Sequence, residues 1–130
     1  MKRRVRVVAA LIERGGEALV TRRHDKGERA GLWEFPGGKV EQGEDELSAL
    51  VRELEEELGV RVRVGALYGQ VEHEYPDVHV DLLLYRAELA DGADPRPLQA
   101  AALRWVPLGE LPALPFCEAD VPLLERLARG

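Results

Sequence analysis

The chain has 130 residues, and its 18 lysines and arginines against 24 aspartates and glutamates give a formal net charge of -6. That length suits one domain, residues 1–130, able to bury roughly two thirds of its unfolded surface without staples. The acidic balance argues against a partner such as duplex nucleic acid or a membrane surface, while the lone cysteine, Cys117, excludes an internal disulfide and makes the cytoplasm the expected location.

Met1-Lys2-Arg3-Arg4 ahead of Val7–Ile12 has the outline of a secretion signal, but the apolar run is short and Glu13 stops it. Val5 to Glu13 therefore reads as a central strand, and no segment is long enough to span a bilayer. Arg14-Gly15-Gly16-Glu17 is a turn, and Ala18–Arg22 returns as the second arm of a hairpin. Arg22, Arg23 and His24 end that arm, where they either reach a site or stay solvated. Asp25 would repel a phosphate, so any phosphate contact there falls to the arginines. Asp25–Gly31 is polar and reads as a loop, either a mobile flap or a passive connector.

In Leu32–Lys39, Pro36 biases Phe35 toward an extended backbone, and Gly37-Gly38 allow a tight turn that brings a carbonyl near a cation. Trp33 and Phe35 share one face of a strand, for core packing or for lining a cleft. Glu41-Gln42-Gly43-Glu44 is a second turn. From Asp45 to Leu58 the spacing predicts a helix, stopped by Gly59. At about 100° per residue, Leu47, Leu50, Leu54 and Leu58 form an apolar stripe. Glu53, Glu56 and Glu57 share the neighbouring exposed face, and Glu55 points away. Three converging carboxylates raise each other's pKa unless a hard divalent cation such as Mg²⁺ joins them. Glu44 lies too far along the chain for helical geometry to place it. It is either a further metal ligand or a partner for Arg52.

Arg61–Val64 and Ala66–Tyr75 read as extended, Tyr75-Pro76-Asp77 as a hairpin tip, and Val78–Leu89 as a long strand. His73 and His79 flank the tip with no companions spaced for zinc, so both read as structural or surface residues. Ala90–Pro97 is a loop, Leu103–Pro107 a last strand, and Leu108–Leu114 an irregular segment. Ala119–Arg129 is an amphipathic terminal helix, with Asp120 as its cap ahead of Val121-Pro122. The expected fold is α+β, a mixed sheet sandwiched between helices.

Gly38, Glu44, Arg52, Glu53, Leu54, Glu56, Glu57, Gly59 and Val60 spell G-x5-E-x7-R-E-U-x-E-E-x-G-U, with U aliphatic. Independent residue frequencies give such a match a chance below about 10⁻⁶ per window. The pattern resembles the signature of the Nudix hydrolases without a mismatch. Leu32–Lys39, the Tyr75-Pro76-Asp77 turn with His79, and Ala119–Leu124 also resemble MutT-type nucleoside triphosphate pyrophosphohydrolases. Val7–Arg14 and Ala30–Gly38 are similar to the CTP pyrophosphohydrolase branch as well.

The resemblance implies hydrolysis of a nucleoside triphosphate, such as 8-oxo-dGTP, to a monophosphate and pyrophosphate. It implies that the Gly37-Gly38 segment donates a carbonyl and that Glu53, Glu56 and Glu57 hold Mg²⁺, with Mn²⁺ as a substitute. Arg52 would orient the glutamates, Glu44 would belong to the catalytic set, and Glu53 would take a proton from the attacking water. Arg23, Phe35 and Lys39 would meet the nucleotide, and Asp120 would face the base, where the MutT type carries an asparagine. The expected partner is a small nucleotide, and the expected state a monomer or weak homodimer. Gln99 departs from the family, replacing a glutamate that can join the metal shell, and Val78 and Glu28 replace basic residues. The alternative substrates are CTP or a modified pyrimidine nucleotide, and then ADP-ribose or a dinucleoside polyphosphate, since Tyr75 and Pro76 fall where those branches carry marker residues. A Nudix-fold nucleotide sensor is the reading without catalysis.

Overall fold

The computed structural model describes residues 2–130. Two four-stranded sheets form, where the sequence leads one to expect a single mixed sheet. The first has the order β5 (Gly37–Lys39), β1 (Arg3–Leu11), β7 (Val78–Leu89), β6 (Val62–Glu74). β1 is its pivot, running parallel to β7 and antiparallel to β5. After Ile12 the chain crosses into the second sheet, where β2 (Glu13–Arg14) and β3 (Glu17–Arg22) make the expected hairpin. β4 (Trp33–Glu34) and β8 (Ala102–Pro107) both pair with β3.

Helix α1 spans Glu46–Leu58, and Asp45 caps it by accepting the Ser48 N–H at 2.8 Å. Gly59 ends it at φ 68°, its N–H reaching the Glu55 carbonyl at 3.0 Å. Leu50, Leu54 and Leu58 are fully buried, each contributing about 1.5–3 kcal/mol of hydrophobic stabilisation. Leu47, in the first turn, does not join them; it is 47% exposed, and Ala49 is buried in addition to the stripe. This face packs on Val8 and Ala10 of β1 and on Ile12 just after it. Ala9 and Leu11 point the other way, into a second core shared with Leu123, Leu124 and Leu127 of α2 (Val121–Arg129). The first sheet therefore lies between the two helices.

Three local expectations change. β6 is one strand with irregular register between Val64 and Gly69 rather than two extended pieces. Gly37 and Gly38 sit in β5, paired with Ala9 and Val8, and do not form a turn. A Cβ on Gly37 would strike the Val8 carbonyl, so the glycine is needed for close strand approach rather than for a bend. Asp120 closes a 3₁₀ turn (Glu118–Asp120) with helical angles already, φ -82° and ψ -19°, and its side chain makes no capping hydrogen bond. The tip at Tyr75-Pro76-Asp77 forms as expected, the Tyr75 N–H donating to the Val78 carbonyl at 2.8 Å.

Candidate active site

Arg52 organises the polar end of the site. Its Nε and Nη2 fork onto Glu44 at 2.7 and 2.9 Å, Nη1 donates to Glu53 at 3.0 Å and to Glu56 at 3.3 Å, and Nη2 also reaches the Lys39 carbonyl at 3.2 Å. Glu44 is thus the partner of Arg52, held in turn by the Glu41 N–H at 3.1 Å. Those bonds pull its carboxyl down to about 2. Glu53 lies where a Gly38 Cβ would be, since any side chain at that glycine would overlap its carboxylate. Burial raises the Glu53 pKa, opposed by the Arg52 hydrogen bond.

Glu57 is not on an exposed face. It turns inward beside Thr21, whose hydroxyl lies 3.5 Å away, and beside the Gly37 N–H. Burial first, then the neighbouring Glu34 and Glu53 charges, push its pKa up to about 8. Glu56 is the outer member, its side chain 47% exposed. As they stand, no three acidic, histidine or cysteine side chains among the described residues are gathered tightly enough to hold an ion. Arg52 draws Glu53 and Glu56 to itself while Glu57 faces the sheet. The donor chemistry nevertheless fits a hard cation. All three are carboxylates on successive turns of one helix, two of them disfavour their ionised forms, and the backbone beside them carries no side chain. The segment after the loop reaches the same end, with the Leu98 N–H donating to the Glu57 carbonyl at 2.9 Å just before Gln99.

From Gly38 a cleft of about 470 Å³ runs along β1 and β7. Its floor is apolar, built from Val5, Val7 and Ala9 of β1 with Val80 and Leu82 of β7. Lys39 lines the polar end of the cleft. Phe35 is 3% exposed, packs on Phe116 with ring centroids 5.7 Å apart, and still lines the cleft, so core and cleft roles coincide. Arg23 also lines it, but its guanidinium is committed to Glu34 at 3.2 Å and to the Glu28 carbonyl at 3.3 Å.

The far wall is closed by Asp120, 4% exposed. Burial, reinforced by the charge of Glu34 and opposed by that of Arg23, holds its carboxyl well above the usual aspartate range. Glu34 is a site residue that the sequence reading passed over. It stands opposite Thr21 in the β3–β4 ladder, its pKa is raised by burial, and the Cys117 thiol lies 4.0 Å from it. The available signal was a lone carboxylate between two aromatics, Trp33 and Phe35.

A family model described as the NUDIX domain matches residues 7–126. The chain belongs to the Nudix family. It is 41% identical to the CTP pyrophosphohydrolase of Escherichia coli (strain K12) over 93% of this chain and 89% of that protein. It is 34% identical to the 8-oxo-dGTP diphosphatase of the same organism over 99% of both chains. Among solved structures, the MutT NUDIX hydrolase from Burkholderia pseudomallei superposes with a TM-score of 0.84 at 32% identity, covering 95% of this chain and 98% of that one. The fold expectation, α+β of the Nudix type, is borne out. As a Nudix hydrolase the protein acts on small nucleotides with a divalent metal, and no helix among the described residues is long and apolar enough to cross a membrane.

Proposed function

We propose that this Nudix hydrolase cleaves 8-oxo-dGTP, or a nucleoside triphosphate with a similar base edge, to the monophosphate and pyrophosphate. The supporting observation is the polarity of the cleft: a carboxylate and guanidinium cluster beside one end, an apolar floor, and the buried Asp120 carboxyl at the other. A triphosphate needs the first and a base the last. Glu53, Glu56 and Glu57 would hold Mg²⁺, which when bound neutralises phosphate charge and positions the leaving group. Glu53 would take the proton of the attacking water as the α–β anhydride bond breaks. Arg52 positions Glu53 through the bond at 3.0 Å, and Glu44 fixes Arg52. Lys39, beside Gly38, is the cation we assign to the phosphates, since Arg23 is occupied by Glu34. We place the enzyme in the cytoplasm, as a monomer or weak homodimer.

The second reading is CTP. In its protonated form, which burial favours, Asp120 would offer one donor and one acceptor, matching the N1–H and O6 of a guanine and equally the N3 and N4 amino group of a cytosine. Val78 and Glu28, both lining the cleft, supply no positive charge to separate the two. Pyrophosphate and phosphate release from 8-oxo-dGTP, dGTP, CTP, ADP-ribose and a dinucleoside tetraphosphate, with Mg²⁺ and with chelator, tests both readings. We expect pyrophosphate from the triphosphates, only with Mg²⁺, and fastest from 8-oxo-dGTP. Faster turnover of CTP would select the second reading. Cleavage of ADP-ribose alone, or tight binding with no product, would refute both.

A further inference from the structure

Three segments distant in sequence meet at one aromatic ring beside the base end of the cleft. Tyr75, 6% exposed, accepts the Ala119 N–H on its hydroxyl at 2.9 Å. The Arg29 guanidinium stacks over its face, 4.1 Å from the ring centroid. Arg29 also forks onto Asp77, donating from Nη1 at 3.0 Å and from Nη2 at 3.4 Å. The His73 ring meets the Tyr75 ring edge-on at 4.6 Å and bonds Glu118 at 3.1 Å, fastening the same corner from outside.

Ordinary packing does not call for this arrangement. Arg29 is the one non-glycine residue with positive φ among those described, at 58°, a conformation that persists where surrounding contacts hold it. Tyr75, Arg29 and Asp77 line the cleft together with Asp120. Ala119, whose N–H the tyrosine holds, immediately precedes Asp120 and is itself 5% exposed, so its N–H has little access to water as a substitute acceptor.

We propose that Tyr75 is a positioning residue for base recognition: its hydroxyl fixes the backbone that carries Asp120, while Arg29, stacked on the ring and forked onto Asp77, holds loop 25–31 over the same end of the cleft. This rests on the cleft being a nucleotide site. The hydroxyl therefore acts on base choice and the guanidinium on closure. Removing the first changes which base is preferred, and removing the second weakens every nucleotide alike.

Three variants separate these effects. Tyr75→Phe keeps the ring beneath Arg29 and removes the acceptor. Arg29→Asn removes the guanidinium but tolerates the left-handed backbone, and Arg29→Lys restores a cation. We expect Y75F to shift the kcat/KM ratios among 8-oxo-dGTP, dGTP and CTP by about tenfold. R29N should raise KM for all three by about five- to tenfold with kcat changed less than about twofold, and R29K should recover most of that loss. Binding of 8-oxo-dGMP, dGMP and CMP, followed at the Asp120 amide by NMR, gives a parallel readout without turnover. Ratios and KM at wild-type values in Y75F and R29N, with only the melting temperature lowered, would overturn the proposal while leaving the hydrolase reading intact. A wild type that cleaves none of the triphosphates, yet binds the monophosphates with ratios that Y75F shifts, would support the clamp and refute the hydrolase reading. A wild type that binds none of them would overturn both.

Discussion

The two ends of the cleft treat carboxylates in opposite ways. Beside α1, Glu44 and Glu53 share a guanidinium, and Glu44 stays ionised down to about 2. At the far end the guanidinium of Arg23 is hydrogen-bonded to Glu34 and acts on Asp120 only through its charge, and burial raises the Asp120 carboxyl well above the ordinary range. Both arrangements use the same functional group. Partnered and partly solvated, it is a charge that suits metal and phosphate; buried and unpaired, it is a hydrogen-bonding edge that suits a base. Glu57 stands between the two states. It lies on the helix with the charged set yet is pushed up to about 8 by burial and by its acidic neighbours.

The most forceful way to break the comparison is to neutralise the charged end. Glu53→Gln and Glu57→Gln are each predicted to lower kcat by about 10³-fold, measured as pyrophosphate release with Mg²⁺, while circular dichroism stays native. Near-normal turnover in either would remove it from the catalytic set.

At the neutral end the predicted effect is smaller and selective. Asp120→Asn should change the kcat/KM ratio between 8-oxo-dGTP and CTP by roughly 10- to 100-fold, about 1–3 kcal/mol, with little change in melting temperature. The side chain caps nothing, so a uniform loss across nucleotides accompanied by a fall in stability would contradict the base-facing role.

Glu57 sharpens the contrast through pH. Folding raises its pKa from the ordinary 4.5 to about 8, so between those values the folded state holds a proton that the unfolded state has released. Stability of the metal-free protein should therefore fall as pH rises from about 5 to 8, by up to an amount on the order of 3 kcal/mol, and Glu57→Gln should flatten that slope in urea titrations with chelator present. Glu44 has the opposite sign. Its lowered pKa stabilises the fold above about 4.5, and that contribution disappears as pH falls through about 2. The smallest effect is expected for Glu55→Gln, whose exposed side chain pairs with Arg61 at 3.7 Å; turnover should stay within about twofold of wild type.

Local periodicity made the charged end legible in the sequence. Glu53 and Glu56 fall on one helical face, Arg52 reaches them both, and the limits of α1 lie within a residue of the spacing's forecast. The base end was not legible in the same way. Asp120 looked like a cap because helix-start chemistry is local, whereas its burial depends on β6, β7 and α2 packing against its 3₁₀ turn. Glu34 went unmarked for a related reason: a carboxylate in a strand reads as solvated until the partner strand and Arg23 are in place. The glycines were noticed for the wrong property. Gly37 and Gly38 matter for contact with Val8 and Glu53 rather than for a bend, and that distinction is invisible without the tertiary neighbours.

Strand β1 divides its labour by parity. Val8 and Ala10, with Ile12 just after the strand, belong to the packing of α1, while Val5, Val7 and Ala9 form the floor on which a base would lie. Side chains two apart share a surface and adjacent ones do not. Exchanges at Val5 or Val7 can therefore resize the floor without disturbing the layer that seats the glutamates. A lineage carrying this strand can alter its diet one odd-numbered residue at a time and keep the same chemistry throughout.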